Sequence, residues 1–167
     1  MTEQLLGILI LFKEINMTEQ VKFKNRELAP IANFLGDIKL AGKASRGRTK
    51  LVKLLAEKSE DFQADMDDLK EKYFAKNDDG NYQSQEIDGE EYYVYANPDD
   101  KQKHVKEVEE INEDEAVITI SEYKDKMKAL YDALNNSEVE LSNQDALVYD
   151  TIMDQLDECF EEKEGNE

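Results

Sequence analysis

Residues 46–74 read RGRTKLVKLLAEKSEDFQADMDDLKEKYF, and the spacing of their apolar positions decides the fold class. Leu51, Leu55, Phe62, Met66, Leu69 and Tyr73 recur at intervals of four, seven, four, three and four residues. That is a helical period, and no strong breaker interrupts it. The stretch predicts one long amphipathic helix with a seam of coiled-coil type, able to pack on a helix of the same chain or of a second copy. Ser45 is a candidate cap for it. The opposite face carries Asp61, Asp65, Asp68 and Glu71, so the helix opens basic and continues acidic.

Upstream, Val21-Lys-Phe-Lys24 alternates and predicts a short strand. Asn25 can cap a short amphipathic helix marked by Leu28, Ile31, Ala32 and Leu35, with Pro30 tolerated near its start and Gly36 at its end. Leu40 to Ser45 form a turn. Downstream, Lys76-Asn-Asp-Asp-Gly-Asn81 breaks the helical pattern. Asp88-Gly89 separates Tyr82–Ile87 from Glu90–Ala96, and an Asp-Gly pair suits a two-residue primed turn, so a β-hairpin is expected. Asn97-Pro98 opens a helix extending to about Asn112, with Val105, Val108 and Ile111 on one side. Ala116–Ile120 reads as a buried strand joining that hairpin. Ser121 caps a helix striped by Tyr123, Met127, Leu130, Tyr131 and Leu134, and Ser142 with Asp145 opens a last one bearing Val148, Ile152, Leu156 and Phe160. The expected class is α+β and mainly helical: a long amphipathic helix and C-terminal helices, with a small antiparallel sheet or hairpin inserted. One domain is expected over 17–160, preceded by an apolar N-terminal helix or extension, 1–16, and followed by an acidic tail, 161–167.

Charge divides the chain into two blocks. Residues 1–58 hold 11 Lys/Arg against 6 Asp/Glu, and residues 59–167 hold 10 against 34, so a net of +5 precedes a net of −24. Such polarity points to work done through the surface against a charged partner. Two patches are candidates. An acidic face comprises Asp61, Asp65, Asp68, Glu71, Glu107 and Glu110. A basic turn comprises Lys43, Arg46, Arg48, Lys50 and Lys53, suited to phosphate contact or to neutralising the acidic remainder; the overall charge of −19 opposes direct nucleic-acid binding.

The residues that carry catalysis are sparse. Gly42-Lys43-Ala44 lacks the hydroxyl residue and the earlier Gly of a P-loop. Asn77-Asp78-Asp79-Gly80 with Glu86 imitates a calcium loop, but Ala75 stands where the first oxygen ligand belongs. His104 is the sole histidine, which excludes a two-His zinc site within one chain, and on a Lys/Glu-rich helix it reads as a solvated side chain. Cys159, the sole cysteine, lies beside Asp157, Glu158, Glu161 and Glu162, which raise a thiol pKa; it reads as an inert helix residue in a reducing setting. No catalytic residue, metal or cofactor is expected. Leu5 to Phe12 form an apolar run too short for a bilayer, which takes about 20 residues, and it lacks the basic flank of a secretory signal. Met1-Thr-Glu-Gln4 recurs as Met17-Thr-Glu-Gln20, by coincidence or because Met17 marks an alternative start.

From Val21 onward the chain resembles a family of short, uncharacterised proteins from bacteriophages of Gram-positive hosts. The resemblance is carried by Phe23-Lys-Asn-Arg-Glu-Leu28, Pro30-Ile31, Asn33-Phe34-Leu35, Leu40-Ala-Gly-Lys-Ala-Ser-Arg-Gly-Arg-Thr-Lys-Leu51, Asp78-Asp-Gly-Asn-Tyr82 and the closing helices. It implies phage origin and action in the host cytoplasm or during particle assembly, and it transfers no active site. Two functional expectations result. The first is a non-enzymatic phage protein that binds the basic groove of a host nucleic-acid-handling protein through its acidic face, as an anti-defence inhibitor of anti-CRISPR, DNA-mimic kind. The second is a structural or tail-assembly accessory that forms homodimers or larger oligomers through its helix seam.

Overall fold

In the computed structural model, residues 19–138 and 140–161 are described, together with Gln4; the apolar run Leu5 to Phe12 and the acidic residues 162–167 lie outside them. The chain is mainly helical, as its periodicity predicts, with two small antiparallel sheets. Strand β1 (Gln20–Lys24) leads through a 3-10 turn into helix α1 (Leu28–Asp37), and α2 (Gly42–Tyr73) follows. A hairpin of β2 (Ser84–Ile87) and β3 (Glu90–Tyr93) precedes α3 (Lys101–Glu113), β4 (Glu115–Thr119), α4 (Lys124–Asn135) and α5 (Asn143–Phe160). No described helix is long and apolar enough to cross a membrane.

The core forms where apolar stripes converge. Val21 and Phe23 alternate inward along β1, and Ala116 and Ile118 do so along β4, with Val21 opposite Ile118 and Phe23 opposite Ala116. This sheet face closes over Leu28, Ile31 and Leu35 of α1, Leu51 and Leu55 of α2, Met127, Leu130 and Leu134 of α4, and Ile152 and Leu156 of α5. The strand expected to join the hairpin therefore pairs with β1 instead. The reason is burial: β1 offers an alternating apolar face, whereas both hairpin strands are exposed along their whole length.

Helix α2 starts four residues earlier than its pattern suggests, and Ser45 lies inside it. Ser45 accepts a hydrogen bond from Arg48 Nη2 at 3.2 Å, while Arg48 Nη1 donates to the Ile38 carbonyl at 2.6 Å. The expected cap thus serves as a bracket for the α1–α2 connection. Gly36 lies within α1 and does not end it. Asn25 is likewise no cap: its amide donates to the Ile111 carbonyl at 2.8 Å and ties the start of α1 to α3. Ser121 accepts from the Glu19 backbone N–H at 2.9 Å, fixing the approach to β1. Ser142 does cap α5, accepting from the Asp145 N–H at 3.4 Å.

Where α2 crosses α4, side-chain space vanishes. A Cβ on Gly47 would lie 2.2 Å from the Lys126 carbonyl oxygen and 3.1 Å from Leu130 Cβ. Ala44, Gly47 and Leu51 form the small-small-large face that admits this approach. Beyond the crossing, α2 runs outward, the hairpin caps its far end, and α3 returns toward β4.

Candidate protein-interaction surface

The outward half of α2 is covered on one side only. Leu69 and Tyr73 are buried and Phe62 and Met66 half-buried, while most other positions from Ala56 to Asp68 are exposed. Residues 57–68 contain six carboxylates, Glu57, Glu60, Asp61, Asp65, Asp67 and Asp68, against the single cation Lys58. At 3.6 residues per turn these six fall within an arc of about 160° opposite the apolar seam. Among the described residues none of the six has an ion-pair partner; Asp67 accepts a hydrogen bond from Gln63 at 2.9 Å.

The sequence-predicted acidic face divides accordingly. Asp61, Asp65 and Asp68 lie on this free arc. Glu71, Glu107 and Glu110 are each engaged by a lysine: Glu71 by Lys76 and by Tyr82 Oη at 3.0 Å, Glu107 by Lys72 at 2.7 Å, and Glu110 by Lys106 at 3.4 Å. Their lysines, together with the Tyr82 hydroxyl for Glu71, hold the Glu71 and Glu107 carboxyls below the usual carboxylate range. Periodicity could not set Glu71 and Glu107 apart because their lysines lie just past the end of α2 or on another helix, whereas Lys106 and Glu110 are four apart on α3.

The basic residues do not form one patch either. Arg48 is spent on the Ile38 carbonyl, and Lys50 lies 4.1 Å from the Tyr123 ring centroid, where the Tyr123 hydroxyl raises its pKa. Lys43, Arg46 and Lys53 are exposed and have no ion-pair or hydrogen-bond partner among the described residues. Lys43 lies in the first turn of α2 and Arg46 just beyond it, at the dipole end that disfavours cations, while Lys53 lies in the fourth turn, out of its reach.

His104 is not the solvated side chain its helix suggested. It is half-buried in an aromatic cluster, its ring centroid 5.0 Å from those of Tyr73 and Phe74, with Nδ1 2.9 Å from Tyr95 Oη. Burial lowers its pKa from 6.5, opposed by the nearby Glu107. The helix turns His104 inward and leaves Val105 57% exposed, so Val105 is not on the packed side with Val108 and Ile111. Cys159 is half-buried and its thiol donates to the Gln20 carbonyl at 3.5 Å; burial pushes the thiol pKa up, with Glu19 and Glu158 adding to the effect. Among the described residues no group of three acidic, His or Cys side chains is arranged to hold a metal ion. In the Asn77–Asn81 loop the Asn77 Oδ1 accepts from the Asp79 and Asn81 N–H groups, and a bridge between Lys76 and Tyr82 closes the turn.

Sequence reasoning missed what the hairpin exposes. Asp88 and Gly89 have φ of 53° and 84°, the primed turn expected. Tyr93 packs toward α2, 5.5 Å from Phe74, and Lys70 Nζ lies 4.2 and 4.5 Å from the Tyr93 and Tyr82 centroids. Ile87 and Tyr92 remain 48% and 46% exposed beside an open groove of about 920 Å³. The run Tyr92-Tyr93-Val94-Tyr95 was a signal for this, since alternation in a two-stranded ribbon must leave one aromatic face uncovered.

No curated protein and no solved structure is detectably similar to the chain. A family model described as "Protein of unknown function (DUF1617)" matches residues 19–165, which is most of the molecule, and the chain belongs to that family.

Proposed function

We propose that this chain is a non-enzymatic bacteriophage accessory protein that binds a host nucleic-acid-handling protein by inserting the acidic arc of α2 into a phosphate-binding groove. The observation that carries this reading is the unpaired state of the six carboxylates between Glu57 and Asp68. They span about 17 Å of helix, roughly one charge per 3 Å. A single nucleic-acid strand presents one phosphate per about 3.4 Å, so the linear charge density is matched. The resemblance of the sequence to phage proteins supplies the setting, and inhibition of a host defence nuclease is the use that setting favours. The assembly reading draws less support, because the seam residues Leu51, Leu55, Leu69 and Tyr73 are buried within the chain.

Capture of host nucleic-acid-binding proteins across a salt series tests the reading. The triple variant Asp61→Asn, Asp65→Asn, Asp68→Asn should weaken capture on the order of tenfold or more, and salt should weaken the parent similarly. Glu110→Gln, whose carboxylate is already engaged by Lys106, should change capture little. Capture that survives the triple variant and high salt would sink the proposal.

A further inference from the structure

The sheet of β1 and β4 has two edges, and the chain closes one of them. Ile120 N–H donates to the Glu19 carbonyl and Asn25 N–H to the Asp114 carbonyl, both at 2.9 Å. Those two bonds fix the ladder: Val21 exchanges hydrogen bonds with Ile118 and Phe23 with Ala116. The backbones of Lys22 and Lys24 therefore point away from β4, and those of Glu115, Val117 and Thr119 point away from β1. On the β1 side the chain supplies partners. Lys22 N–H donates to Gln155 Oε1 of α5 at 2.6 Å, Lys24 N–H to Glu27 Oε2 at 2.8 Å, and Cys159 Sγ donates to the Gln20 carbonyl at 3.5 Å. On the β4 side no hydrogen bond from a described residue reaches the backbone of Glu115, Val117 or Thr119, and all three residues are exposed. A row of free N–H and C=O groups of that kind is met in full by another extended strand.

Charge selects the strand that fits. Strands β1 and β4 carry Lys22 and Lys24 against Glu115, a small excess of positive charge in a chain of net charge −19. Two copies can meet there without opposing rows of carboxylates, whereas the basic partner proposed for the α2 arc gains nothing from it. The hairpin sheet also has open edges, but its strands and turn carry Glu86, Asp88, Glu90 and Glu91 and no cation, so a second copy is repelled. The side chains then select the register. A two-fold axis through Val117 uses all three free residues, with Val117 facing Val117 of the second copy and Glu115 facing its Thr119. Val117, 36% exposed, is the apolar side chain on the outer face of the sheet. Glu115 has Lys22 at 4.0 Å and lies opposite Lys24, so its charge is met within its own chain.

We propose that the chain forms a two-fold dimer in which β4 pairs with β4 of a second copy, joining two small sheets into one. This goes beyond the host-binding reading and does not rest on it, because the α2 arc is no part of the sheet. The test is sedimentation equilibrium of the full chain from about 0.01 to about 1 mM, the range in which a small interface is expected to associate. The parent should dimerise, and more tightly as salt rises, because screening relieves the repulsion between two polyanions. Val117→Lys, which sets two lysines face to face, should weaken the dimer about fivefold or more. Thr119→Lys, which sets a lysine opposite Glu115 of the second copy, should strengthen it about threefold. Both variants add one positive charge at an exposed position, so opposite signs report the register and not the net charge. Both should keep the parent's circular dichroism, since neither side chain is in the core. A monomer throughout the range, a dimer that both variants shift the same way, or one that Val117→Lys leaves intact overturns the assignment. The triple Asn variant at Asp61, Asp65 and Asp68 keeps the two readings apart. It should dimerise at least as well as the parent while losing host-protein capture, and retained capture would count against the α2 arc alone.

Discussion

At the scale of single residues, Gly47 and His104 show how much a fold depends on positions of modest appearance. An alanine at Gly47 has a helix propensity better by about 1 kcal/mol, which alone would stabilise α2. Its Cβ, however, would stand 2.2 Å from the backbone oxygen of Lys126, which cannot rotate away. A clash with backbone atoms lies at the upper end of overpacking costs, about 3 kcal/mol, so after the propensity gain Gly47→Ala should be destabilised by about 2 kcal/mol net. For a domain of this size its Tm should fall by roughly 4–8 °C; a Tm equal to the parent's or higher would mean that the α2–α4 crossing is looser than drawn. The spacing Ala44, Gly47, Leu51 was present in the sequence as a small-residue face, but nothing local says which helix it meets. His104 gives a prediction in pH. Its pKa is lowered from 6.5 by burial, so the folded state binds the proton less readily than the unfolded chain does. The stabilising contribution of the neutral ring is complete above about pH 6.5 and is lost as pH falls through that value toward the folded pKa. As the chain has one histidine, its imidazole resonance can be followed without ambiguity, and it should titrate below 6.5. A midpoint at or above that value removes the ring from the aromatic cluster.

At the scale of elements, local chemistry was legible and long-range pairing was not. The hairpin turn could be read because Asp88-Gly89 satisfies a local requirement for positive φ, and α2 because its apolar spacing from Leu51 to Tyr73 is helical over about six turns. The partner of β4 could not, because alternation says that Ala116 and Ile118 face a core without saying which strand supplies it. Of the candidate site, Asp61, Asp65 and Asp68 were legible from helical spacing. The engagement of Glu107 by Lys72 was not, since it depends on how α3 returns along α2, nor that of Glu71 by Lys76, which lies past the end of α2; the Lys106–Glu110 pair, four apart on α3, follows from spacing alone. The acidic arc also carries an internal cost. Asp61 and Asp65 are four apart and Asp65 and Asp68 three apart, and like charges at those spacings destabilise a helix by about 0.2–0.5 kcal/mol per pair. The triple Asn variant should therefore be more resistant to urea than the parent, by about 0.5 kcal/mol, while binding its partner less well. Stability and binding that fall together would show instead that these carboxylates are structural.

At the scale of the whole molecule, a net charge of −19 sets two responses to salt against each other. The nine ion pairs among the described residues join side chains that are mostly well exposed, and exposed pairs contribute little. Screening them removes little stability. Repulsion among the unpaired carboxylates of the α2 arc and the hairpin is a destabilising term that the same screening relieves. At about 0.01 M salt the Debye length is about 30 Å, long enough to couple carboxylates across the outward half of α2; near physiological ionic strength it is about 8 Å and only neighbours interact. Raising salt across that range should therefore raise the Tm of the free protein, by a few degrees, while it weakens partner binding. The opposite signs are the discriminating feature. A protein whose acids were balanced by nearby lysines would lose pairing as salt rose, and its Tm would stay level or fall. That result would mean that no unneutralised face exists to be offered to a basic groove. A rising Tm with falling affinity means that the free chain holds its charges apart at a cost, which a cationic partner then removes.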